Sequence, residues 1–182
     1  MSVEVIASVI AGFIIGKSFA LLAFGGDSVI ELISAYAVLS YLRKSSRDIS
    51  DIESESEGTE KIATLLLILL IPVIAAGAIY SLHLGIEPKA SPFGIAVAVG
   101  AVIIMPILWK EKERIGADGN IPPLIIDAIE SATCFFMSIA LLGGLLINFF
   151  LHITWADYVA TAIILGFIAL EIRESIVDIR TK

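Results

Sequence analysis

The chain is poor in the side chains from which soluble active sites are built: among 182 residues it has one cysteine and two histidines. Lysine and arginine are missing from the depths of its long apolar stretches. A single cysteine excludes an intrachain disulfide and any CxxC motif. The histidines, His83 and His152, fall at the ends of apolar stretches and leave no nucleophile–base–orienter triad to read. There is no HExxH and no phosphate-cradling glycine loop, so no enzyme is expected. A net charge of −7 counts against a nucleic-acid partner, which would want a basic face. The N-terminus lacks a basic segment followed by a small-residue cleavage site, and reads as part of a membrane helix rather than a leader.

What the chain has is apolar length. Hydrophobic residues make up 58% of it, and its mean hydropathy is +0.96. A soluble domain sits near 45–50% apolar residues. The 17% of charged residues gather in 43–61, 110–118 and 171–182. A chain this short cannot bury so much apolar surface in one soluble core, so lipid must solvate much of it. With roughly 20 apolar residues needed per span, the pattern predicts an all-α membrane protein, a six-helix bundle in a single transmembrane domain over 1–182. The spans are expected at about 2–15, 20–42, 62–84, 92–109, 122–149 and 154–176. Pro72 should kink the third span. Pro122 and Pro123 suit the first turn of the fifth. The stretches 43–61 and Lys110 to Asn120 are expected as polar loops.

Basic residues mark the cytoplasmic side. Arg43, Lys44, Arg47, Lys61, Lys110, Lys112, Arg114, Arg173, Arg180 and Lys182 flank one side, against Lys17 and Lys89 on the other. Both termini are therefore expected in the cytoplasm, with the protein in the cell membrane. A short echo links Asp27-Ser-Val-Ile-Glu31 in the second span with Asp127-Ala-Ile-Glu130-Ser in the fifth. Each is the middle span of a three-span half, the arrangement of an inverted repeat; chance is an equal rival for so short a match.

The informative charges are those in the apolar spans. Asp27, Glu31, Asp127 and Glu130 lie within them, and Asp157 lies at the start of the sixth. An ionised carboxylate in hydrocarbon costs at least about 2.5 kcal/mol. No lysine or arginine is expected at that depth, so the compensating charge should be mobile, a proton or a metal ion. Asp27 and Glu31 are four residues apart, on one helical face and about 6 Å apart along the axis. Asp127, Glu130 and Cys134 follow as i, i+3 and i+7, again on one face. Opposed, the two faces would bring Asp27, Glu31, Glu130 and Cys134 around one point, a four-donor metal site from two helices.

These segments carry a family likeness. GKSFALLAFGGDSVIELIS (16–34) resembles the second-helix signature of the cation diffusion facilitator family, where Asp or His is followed by Asp four residues on. IIDAIESATC (125–134) resembles its fifth-helix signature, usually Asp-x-x-His-x-x-x-Asp; here it reads Asp127, Glu130 and Cys134. ITWADYVATAIILGF (153–167) is similar to its opening of the sixth helix. The likeness spans most of residues 3–176. It implies export of zinc or related divalent ions, usually in exchange for protons and usually by homodimers. It also implies a variant without the family's usual cytoplasmic domain after the sixth helix, which bears on dimerisation.

The ligand chemistry of three carboxylates and a thiolate suits zinc or cadmium and admits manganese or iron. No organic cofactor is expected; the partners are the bilayer, metal ions and protons. Asp127 is placed beside the ligands, as a supporting residue or a proton carrier with an intake role. For Asp157 the same role stands against a structural one, capping the start of the sixth helix or holding the bundle, and the structural role is preferred. Ser131 reads as a packing residue. Gly25-Gly26 and Gly143-Gly144 read as points of close helix approach. The rival function is a non-transporting, metal-binding membrane subunit that modulates a partner.

Overall fold

The computed structural model describes residues 18–44, 49–119 and 121–181. The expected first span, 2–15, lies outside them. The described residues form five helices: α1 (Phe19–Lys44), α2 (Ile49–His83), α3 (Pro92–Asp118), α4 (Pro122–Leu151) and α5 (Trp155–Thr181). No strand occurs among them. The described residues form an all-helical membrane bundle. Four of the five helices, α2 to α5, hold segments long and apolar enough to cross a bilayer.

Two stretches expected as loops are helical instead. From Ile49 the acidic, serine-rich segment already belongs to α2, and α3 runs on through Lys110 to Asp118. Hydropathy marks where the oil ends, not where the helix ends. Glu, Lys and Arg are good helix formers, and α3 adds an exposed Arg114–Glu111 pair one turn apart, at 2.6 Å. Pro72 and Pro106 both sit inside helices.

The helix ends follow from local chemistry. Ser91 caps α3, its hydroxyl accepting from the Gly94 N–H at 3.0 Å, with Pro92 in the first turn, where no N–H is needed. Gly119 closes α3 by donating to the Ile115 carbonyl, and Ile121 donates to that of Gly116. Pro122 and Pro123 then open α4 without a side-chain cap. The connection between α3 and α4 is therefore very short. On the opposite end, Asn148 donates to the Pro88 carbonyl and Tyr158 to that of Ile86, tying the α2–α3 connection to α4 and α5.

α1 is central, packing on α2, α4 and α5, and the most extensive packing joins α3 to α4. The core sets the small side chains of Ala20, Ala23, Ala98 and Ala101 against the larger ones of Phe24, Met105, Met137, Leu141 and Ile164. Large aliphatic residues point outward, among them Leu65, Leu69, Val73 and Ile79 of α2 and Ile103 and Ile107 of α3. Such broad apolar exposure is what lipid contact requires and water penalises. Gly144 lets α4 and α5 touch: a Cβ there would lie 2.6 Å from that of Ala160 and 3.2 Å from the Ala156 carbonyl oxygen. Gly26 makes room in the same way for Leu70 of α2, whereas Gly143 faces open space.

Candidate cation site

The face of α1 that carries Asp27 and Glu31 meets the face of α4 that carries Cys134. Both carboxylates and the thiol are buried. The Cys134 Sγ lies 3.1 Å from Asp27 Oδ2 and 3.1 Å from Glu31 Oε2. A thiol has one proton, so it donates to one of these oxygens at a time. Cys134 thus touches both carboxylates. Among the described residues, no three or more His, Cys, Asp or Glu side chains stand spread around a common point ready to hold an ion.

The other predicted residues are distributed around this trio. Asp127, one turn before Ser131 on the same face of α4, is buried; its Oδ2 pairs with the Lys112 Nζ at 2.9 Å, and its Oδ1 accepts no hydrogen bond among the described residues. Glu130 is half-buried on the same helix. Glu171 of α5, also half-buried, lies within electrostatic reach of Asp27, Glu31 and Glu130. Asp157 belongs elsewhere. It accepts from the Ser18 hydroxyl and from the Phe19 N–H at 3.0 Å, while Ser18 itself accepts from the Leu21 N–H at 3.1 Å. Asp157 therefore holds the N-terminus of α1, eight residues and about 12 Å from Asp27 along the helix.

The structure corrects the expectation that no fixed cation reaches this depth. Lys112 Nζ is 3.7 Å from Glu31 Oε1 and donates to Ser131 Oγ at 2.7 Å. Ser131 Oγ in turn stands 2.7 Å from Glu31 Oε1 and 3.2 Å from the Asp127 carbonyl. Lys112 follows the apolar run and so reads, from sequence, as part of a cytoplasmic loop. In fact α3 continues as a helix, and a lysine's four-carbon stem lets its ammonium reach back toward buried acids. Ser131, read as mere packing, is the bridge between ammonium and carboxylate. Its spacing was the available signal, since it is i+4 from Asp127 and i−3 from Cys134. Even so, among the described residues the neighbourhood holds five acids, Asp27, Glu31, Asp127, Glu130 and Glu171, and Lys112 is the basic side chain that meets Glu31 and Asp127. Full ionisation would leave it strongly negative. His83 and His152 are both exposed and away from it.

A sequence model of the cation efflux transmembrane domain matches residues 1–180. The chain belongs to that family. No curated protein and no solved structure matches it. Cation efflux proteins move divalent metal ions through their membrane helices, so the buried acids of α1 and α4 lie in a domain whose cargo is positively charged.

Proposed function

We propose that the protein exports zinc-like divalent cations from the cytoplasm in exchange for protons. It works as a six-span bundle in the cell membrane, with both termini cytoplasmic, as a homodimer, and not as an enzyme. The observation that carries this reading is the meeting of Asp27, Glu31 and Cys134, buried carboxylates and a thiol, at the contact of two membrane helices. Glu130 completes a four-donor set, and Asp127 stands beside it as a proton carrier on the intake side. Donors around a tetrahedral zinc ion are about 3.5 Å apart, given bonds of about 2.0–2.3 Å. The present S···O separations of 3.1 Å are slightly tighter, so rotamer adjustments of a few tenths of an ångström open the trio to an ion. Three carboxylates and a thiolate favour zinc or cadmium.

Metal ions bind carboxylate and thiolate, not their protonated forms, so protons compete for the same atoms. The sign follows: zinc binding weakens as pH falls. An opposing proton gradient then empties the site. Two measurements test the reading. Calorimetry on the purified protein should show zinc binding that Asp27→Ala removes, and proteoliposomes should take up radioactive zinc while releasing protons. Binding without flux would reassign the protein as a metal-binding subunit that modulates a partner; no binding at all would remove the site.

A further inference from the structure

Glu31 is divided between two surroundings. Its Oε2 faces Cys134 Sγ at 3.1 Å, on the side shared with Asp27. Its Oε1 faces Lys112, directly at 3.7 Å and through Ser131, which lies 2.7 Å from each of them. The ammonium has a second partner, Asp127 Oδ2, at 2.9 Å. Asp127 sits across the short α3–α4 connection from Lys112 and keeps one buried oxygen without a hydrogen bond among the described residues. One carboxylate therefore serves an internal cation on one edge and, on the reading proposed above, a transported cation on the other. Two cations cannot both draw fully on one carboxylate, since each lowers the negative potential available to the other.

We propose that Lys112 is a tethered competitor of the transported ion: its ammonium shares Glu31 when the site is empty of metal and is driven onto Asp127 alone when a divalent ion is seated. The device keeps Glu31 from standing as an unpaired buried charge between transport events, which in a low-dielectric interior is costly. It also lowers affinity enough for the ion to leave. Lys112 acts through Glu31 and Asp127 and touches no cargo, so it is a positioning residue. This inference rests on the zinc-binding reading, but it can fail alone.

Zinc affinity measured by calorimetry on the full chain in lipid nanodiscs decides it. Lys112→Met keeps the stem and removes the charge. It should tighten zinc binding by at least about fivefold, the low end of ordinary coupling between two sites. Lys112→Arg, which retains the charge, should stay near wild type. Asp127→Asn leaves Lys112 in place but weakens its alternative partner, and should loosen zinc binding. The double variant Lys112→Met with Asp127→Asn should recover the tighter value, which a folding defect would not do. Unchanged or weaker binding by Lys112→Met, or tighter binding by Asp127→Asn, overturns the proposal while leaving the zinc reading intact if wild type binds. A wild type that binds no zinc overturns both.

Discussion

Two buried carboxylates at different points of the bundle are treated in opposite ways. Asp157 is met by the Ser18 hydroxyl and the Phe19 N–H at the start of α1, while its own chain position is the first turn of α5. Helix N-termini carry partial positive charge and spare N–H donors, so Asp157 is satisfied by the fold itself. Among the described residues, Asp27 meets a thiol, which is a weak donor, and lies near another acid, Glu31. The difference teaches that a buried acid signals transport chemistry only when its fixed partners fall short of its charge.

Substitutions can press on each side of this contrast. The largest effect is expected from Asp27→Ala, which should cut zinc affinity by at least about 100-fold without lowering thermal stability in detergent, since a poorly compensated acid is removed. A fall in melting temperature as large as that caused by Asp157→Asn would erase the distinction. Asp157→Asn itself should cost about 1–3 kcal/mol of stability, because an amide nitrogen replaces one accepting oxygen at the α1 terminus. The zinc affinity of the folded fraction should stay at the wild-type value. Next, Cys134→Ser should reduce cadmium affinity by roughly tenfold and zinc affinity less, as loss of a soft donor implies; equal losses for both ions would deny the thiolate a ligand role. The smallest effect is expected from Glu171→Gln, a change of zinc affinity of about threefold, consistent with a charge felt through space rather than a ligand. A loss as large as that of Asp27→Ala would promote Glu171 to a donor.

The pairing of Asp27 and Glu31 with Cys134 was legible because helical periodicity and burial cost act on the same few residues. Four-residue spacing fixes a face, and acids in oil must find partners, so the two faces had to meet. What escaped was whatever lay past the hydropathy edge. Lys112 follows the apolar run of α3 and so reads as part of a polar loop, while Glu171, inside the expected 154–176 span, reads as the start of the charged 171–182 stretch rather than as a buried acid. Backbone hydrogen bonding carries both helices onward regardless of polarity, and long side chains then reach back. Ser131 escaped for a different reason: a hydroxyl in a membrane helix satisfies itself on the preceding turn, as Thr133 does on Ile129 at 3.3 Å, so its type alone does not reveal a second partner. For Asp157 a structural role, as cap or as clamp, was legible, but its partner at the α1 terminus was not, because nothing local in the chain links residues 139 apart.

The brief connection at Gly119–Ile121 has a consequence for biogenesis. Lys112 and Asp127 lie on the two arms of one hairpin, so their opposite charges can cancel as that hairpin enters lipid, without help from any other segment. α1 has no such advantage. Its two acids bring no basic companion at their own level, and their neutralisation waits for docking against the finished hairpin. Assembly of the bundle and completion of its cation-attracting interior are thus a single late event.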